Sequence, residues 1–181
     1  MILSPEYLAE QKDVIERCQL GAKNWRKTLI VRKRHEDLKA FCKGSKKVLS
    51  VGSAGLEPIE LGATHAIDVH RIADDYLSKG GWKGIFKVAS CDNIPAPYKY
   101  FDVAVCQEVI EHLPSLNIVR DTFFEINRVA KRWIVTTPTE LGDEPTHKRA
   151  FNFKMLVDVT TGVKCKIEKR GRYWYVFHDS P

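Results

Sequence analysis

The sequence offers little cysteine chemistry, no long apolar run and none of the common phosphate-loop signatures. Its five cysteines, Cys18, Cys42, Cys91, Cys106 and Cys165, are odd in number and widely spaced. No C-x-x-C pair occurs among them, so neither a disulfide framework nor a zinc knuckle is expected. A reducing compartment suits such usage. No apolar run approaches the roughly 20 residues that a membrane-spanning helix needs. The opening MILSPEYLAEQKDVIER turns charged within six residues and lacks a signal-peptide apolar stretch. Together these absences predict a cytoplasmic location. No G-x-x-x-x-G-K-[ST] occurs, which argues against a nucleoside triphosphate site. The full G-x-G-x-x-G of a dinucleotide site is missing too. There is no internal repeat, low-complexity tract or second-domain boundary.

What is present is ordinary globular material. The 181 residues are 44% hydrophobic and 29% charged, which suits one domain with a proper core. The net charge of +6 is unevenly spread. Residues 21–47 carry 10 basic and 2 acidic side chains, whereas residues 48–147 carry 9 and 14. An acidic middle therefore lies between a basic arm and a basic tail. Solvated helix faces account for such a pattern, and a polyanionic partner is the sharper alternative.

Periodicity divides the chain into a helical arm and an alternating α/β body. Ser4 and Pro5 open a helix that carries Leu8, Val14, Ile15 and Cys18. A second helix is expected over Trp25 to Phe41, with Trp25, Leu29, Leu38 and Phe41 on its buried face. From Lys47 short apolar strands alternate with helices. VLSV, HAIDVH, FKVAS, FDVAVCQ and RWIVTTP read as five strands. LEPIELG, ADDYLSKG, SLNIVRDTFFEINRVA and FKMLVDVTTG read as helices. KCKIEKR and RYWYVFHD flank Gly171 as a closing hairpin. This order predicts one α/β domain with a mostly parallel sheet, residues 1–45 being an arm of that domain and 46–181 its body.

In such sheets ligands bind beyond the carboxyl ends of the strands. The unusual polar residues fall at those ends. Gly52, Ser53, Ala54 and Gly55 follow the first strand, and their small side chains let a ligand approach the backbone. Asp68, followed by Val69, ends the second strand, where a carboxylate can accept both hydroxyls of a ribose. Asp92 and Asn93 follow the third strand and can meet an adenine amino group, or simply form a turn before Pro95. Gln107 and Glu108 follow the fourth. Glu108, Glu111 and His112 stand at i, i+3 and i+4, which on an α-helix shares one face.

The ordered set VLSVGSAG, AIDVH, SCDNIPAPYKYFDVAVCQEVIEHLP, INRVAKRWIVTTP and HKRAFNFKML resembles the class I S-adenosylmethionine-dependent methyltransferases. The likeness runs from about Lys46 to the C-terminus, and FDVAVCQEVIEHLP is its most specific piece. It implies a Rossmann-like, seven-stranded, mostly parallel sheet with a reversed last strand and helices on both faces. It implies that Gly52 to Gly55 line the methionine and ribose part of S-adenosylmethionine and that Asp68 holds the ribose. Asp92 would face the adenine, and Gln107 and Glu108 would close the pocket beside the methyl donor. Two positions depart from the family: Ser50 stands where an acid is usual, and Ala54 where glycine is usual.

The resemblance implies a methyltransferase whose acceptor is expected to be a small molecule, sugar or lipid precursor. The [DN]-P-P-[YF] motif of amino-methylating enzymes is absent. Glu108, Glu111, His112 and His147 are the candidate catalytic groups. His147 lies in H-x-x-x-F, in a loop that must fold back from the fifth strand, anchored by Phe151 with Asn152 as N-cap of the next helix. No metal is expected. The alternative is an RNA 2′-O-methyltransferase, engaging RNA through basic residues 23–47, with those four side chains as metal ligands. A catalytically silent binding or partner subunit is the third reading.

Overall fold

The computed structural model describes residues 4–6, 9, 12, 29–53, 55–142 and 145–179. Leu8, Val14, Ile15 and Cys18 of the first expected helix lie outside the described residues, as do Trp25, Lys23, Arg26, Lys27 and Ala54. Nothing is described of the Leu29 side chain. The second expected helix is present as α1, Leu29–Cys42. It packs through Leu38 and Cys42, four residues apart and both buried. Phe41 is only partly covered.

Seven strands form one sheet: β1 (Val48–Val51), β2 (His65–Asp68), β3 (Ile85–Val88), β4 (Phe101–Gln107), β5 (Ala130–Pro138), β6 (Lys166–Arg170) and β7 (Tyr173–His178). Their order is β3-β2-β1-β4-β5-β7-β6. The pairs from β3 to β5 are parallel, and β7 runs antiparallel to both β5 and β6. The last strand is thus the reversed one, as the sequence resemblance implied. The central strands β1 and β4 are buried along nearly their whole length, which is why VLSV and FDVAVCQ read as continuous apolar runs.

Helices cover both faces. α4 (Leu116–Val129) and α5 (Phe153–Val159) bury Val119, Phe123, Ile126 and Leu156 against Trp133, Val135 and Cys106 on one face. Fully burying each such side chain contributes about 1.5–3 kcal/mol before entropy is counted. On the other face α1 packs Leu38 and Cys42 against Val48, Val103, Val105, Ile134 and Tyr175. The short α2 (Glu57–Glu60) follows β1, and α3 (Ile72–Lys79) links β2 to β3. Among the described residues no helix is long and apolar enough to cross a membrane.

The order of strands reverses between β1 and β4. From β1 the chain moves outward to β2 and β3, then returns to β4 on the other side. Loops after β1 and β4 therefore diverge and leave a crevice at the carboxyl edge. Register places Val51 beside Cys106, Gln107 beside Thr136 and Asp68 beside Val88 along that edge.

Candidate active site

Leaving β1, the chain turns at Gly52, whose φ of +72° is a left-handed value that costs glycine little. The N–H groups of Gly52 and Ser53 donate to the Ile67 carbonyl at 3.0 and 3.2 Å, which ties the turn to β2. The Ser53 hydroxyl donates to the Ser50 carbonyl at 3.2 Å. A β-carbon at Gly52 would collide with the Val109 side chain, so this turn touches the segment after β4 directly. At buried Gly55 the corresponding space is taken by the Glu57 carboxylate.

Asp68 closes β2 and is only 7% exposed. Its Oδ1 accepts the His70 N–H at 3.0 Å. Burial pushes its carboxyl up to about 6, against backbone N–H donors that pull the other way. Val69 beside it is half-buried. After β3, Asp92 accepts from the Ser90 hydroxyl, and the Asn93 N–H closes a turn on the Ser90 carbonyl at 3.1 Å.

The EVIEH segment departs from the α-helical reading. Only Ile110–His112 are helical, as a single 3-10 turn. Glu108 still belongs to the sheet edge: its N–H donates to the Thr136 carbonyl at 3.0 Å. Its φ is +55°, a left-handed value unusual for a residue with a β-carbon. Val109 must lie against Gly52, so the chain swings at Glu108 and helical geometry begins only at Ile110. Glu108, Glu111 and His112 consequently do not share a helix face.

Glu108 instead reaches toward α1. Its Oε2 lies 2.9 Å from Arg34 Nη1, and its Oε1 accepts from the Thr136 hydroxyl at 3.3 Å. Arg34 is 4% exposed and its guanidinium stacks over the Tyr173 ring at 4.2 Å. Burial raises the Glu108 carboxyl, with Arg34 opposing. Arg34 was expected in the solvated basic arm and is buried in the crevice instead, while Arg32 and Lys33 remain exposed. The signal was available: Arg34, Leu38 and Cys42 recur every four residues along α1.

Glu111 is fully buried. Its Oε2 accepts from the Thr137 hydroxyl at 3.0 Å, and its Oε1 has no hydrogen-bond partner. Burial first, then the neighbouring Glu108 charge, raises its carboxyl well above the usual range. The loop after β5 does fold back: the Lys148 N–H donates to the Glu111 carbonyl at 2.8 Å, and Arg149 donates to the carbonyls of Leu113 and Pro114. Phe151 is buried, and Asn152 caps α5 by accepting the Met155 N–H at 2.9 Å. The His112 and His147 rings meet edge to face, 4.8 Å between centroids. His147 Nδ1 lies 2.7 Å from the Leu141 carbonyl. Ligand-type atoms of Glu111, His112 and His147 all fall within 4.8 Å of one another. Glu108 is not part of that group. Gln107 ends β4 with its Oε1 buried and unpartnered.

The strand order with its reversed last strand is that of the Rossmann-like methyltransferase fold. Residues 51–133 match the methyltransferase domain family. No curated protein matches the sequence. Solved structures similar in fold include a methyltransferase of Thermotoga maritima described as a possible histamine N-methyltransferase. It shares 13% identity and a TM-score of 0.66, over 91% of this chain and 97% of that one. The Burkholderia thailandensis 1,6-didemethyltoxoflavin N1-methyltransferase, solved with that compound and S-adenosylhomocysteine, shares 15% identity and a TM-score of 0.65. The alignment covers 98% of this chain and 90% of that one. The N-methyltransferase NodS of Bradyrhizobium japonicum shares 16% identity and a TM-score of 0.63, over 84% and 97% of the two chains.

Proposed function

We propose that the chain binds S-adenosylmethionine along the carboxyl edge of β2, β1 and β4 and methylates a small-molecule acceptor, a sugar or lipid precursor among the candidates. Asp68 carries the reading. A buried carboxylate at the end of the strand beside a glycine turn suits the paired hydroxyls of a ribose. Val69 packs beside that ribose, and Asp92 and Asn93 take the adenine. Gly52, Ser53 and Gly55 form the floor under the methionine part, and Gln107 and Glu108 close the pocket next to the methyl group.

The cofactor supplies an already activated methyl group on a sulfonium. The work left to the chain is to align donor and acceptor, keep water out and accept a proton where the acceptor carries one. His147 suits the last task. The Leu141 carbonyl can only accept, so Nδ1 holds the ring proton and Nε2 offers its lone pair. His112 stands against it and orients the ring, and burial raises the Glu111 carboxyl beside them well above its usual range. Small-molecule acceptors named for the Thermotoga and Burkholderia proteins lend support. Incubation with methyl-labelled cofactor and a cell extract split into small molecules and RNA tests the acceptor class. Label in the small-molecule fraction supports the reading, and label confined to RNA overturns it.

A second reading is favoured by one observation. Glu111, His112 and His147 are close enough together to hold a divalent cation, which would polarise an acceptor hydroxyl, as a ribose 2′-O requires. Glu108, the fourth ligand of that scheme, faces Arg34 and Thr136. Arg34 is also withdrawn from any phosphate-binding surface. A chelator abolishes activity under this reading, with manganese or magnesium restoring it, and has no effect under the first.

A further inference from the structure

Arg34 is a buried cation with an unused donor at Nε. Its Nε and Nη1 are sealed from solvent, and Nε makes no hydrogen bond. Nη1 pairs with the Glu108 carboxylate at 2.9 Å. A guanidinium presents five N–H donors in a fork that matches a carboxylate. Burying Nε without a partner is unfavourable, and a carboxylate could accept from it.

The nearby glycine turn carries the complementary observation. The space that a β-carbon would fill at Gly55 is occupied by the Glu57 carboxylate. Glu57 is half-buried, and its charge is one of those that Arg34 feels. A carboxylate from the chain itself thus lies over the turn, in the electrostatic reach of a cation with a spare donor. The amino-acid end of S-adenosylmethionine brings one carboxylate and one ammonium to the same turn. Glu108 stands beside Arg34 with the charge that suits the ammonium.

Resting on the cofactor reading above, we propose that Arg34 anchors the carboxylate at the amino-acid end of the cofactor, and that Glu57 is an internal competitor that must leave the turn when the cofactor enters. The pair replaces the acid missing at Ser50: the amino-acid end is held from α1, through Arg34 and Glu108, rather than from β1. Glu57 has a low-cost exit, because it is partly exposed and its helix has only four residues to adjust.

The test uses two ligands with the same nucleoside. S-adenosylhomocysteine carries the amino-acid end, and 5′-methylthioadenosine lacks it. Both are titrated calorimetrically into wild type, Arg34→Gln and Glu57→Gln. Arg34→Gln should weaken S-adenosylhomocysteine by about tenfold or more and leave 5′-methylthioadenosine unchanged, as loss of a charge-assisted pair implies. Glu57→Gln should tighten S-adenosylhomocysteine several-fold and leave 5′-methylthioadenosine unchanged. Equal weakening of both ligands by Arg34→Gln would mean that Arg34 only supports the fold, and the proposal fails. It fails too if Glu57→Gln weakens S-adenosylhomocysteine or leaves it alone; this second variant stands even if Arg34→Gln does not fold. Wild type that binds neither ligand removes the cofactor reading itself, a failure distinct from the variant pattern.

Discussion

Replacing Asp68 by Asn should strengthen the fold and weaken the cofactor at the same time. Asp68 is 7% exposed, and burial holds its carboxyl at about 6 against an ordinary value of 3.8. A folded-state value above the unfolded one means that the native protein holds the proton more tightly. Stability contributed by this group is therefore greatest at low pH and is lost as pH rises from about 4 through about 6. At pH 8 the buried charge costs the fold an upper bound of about 3 kcal/mol before relaxation. Asn keeps the oxygen that accepts the His70 N–H and removes the charge. The variant should gain about 1–2 kcal/mol at pH 8, and the gain should vanish near pH 4. The cofactor loses in exchange. One of two charge-assisted acceptors becomes an NH2 donor facing a hydroxyl, a loss of about 2 kcal/mol, or roughly 30-fold in affinity. Thermal unfolding at pH 8 and pH 4, with calorimetric titration of S-adenosylhomocysteine, reads both signs. Unchanged affinity would remove Asp68 from the site, and a lower melting temperature at pH 8 would refute the burial argument.

For wild type, cofactor affinity should fall as pH drops through about 6, because protonated Asp68 is a poorer acceptor; a titration series from pH 5 to 8 checks it. His147→Gln should lower turnover about tenfold or more and leave affinity for S-adenosylhomocysteine near wild type, measured by steady-state kinetics and calorimetry. Asn152→Ala removes the cap of α5 and should cost about 1 kcal/mol, a fall of about 2–4 °C in melting temperature.

Much of the sheet was legible because burial on both faces leaves unbroken apolar runs. FDVAVCQ became β4 over the same residues, and the Gly171 hairpin became β6 and β7. Asn152 was legible as a cap because an acceptor side chain precedes an apolar periodic run there. The segment after β4 was not. Spacing of i, i+3 and i+4 implies a shared face only if the residues are α-helical, and the need to seat Val109 against Gly52 delays the helix to Ile110. That long-range contact, 57 positions apart in sequence, leaves no local trace. Arg34 was hidden by averaging. Counted within a basic run it looks solvated, while the four-residue rhythm it shares with Leu38 marks it as inward-facing.

The central claim is that this crevice holds S-adenosylmethionine. Calorimetric titration of the wild-type protein with S-adenosylhomocysteine at pH 7.5 tests it most directly. The account predicts saturable one-to-one binding, with the affinity reduced in Asp68→Asn. Absence of binding at millimolar ligand, by a protein that unfolds cooperatively, would contradict it and leave a methyltransferase fold in the service of some other ligand.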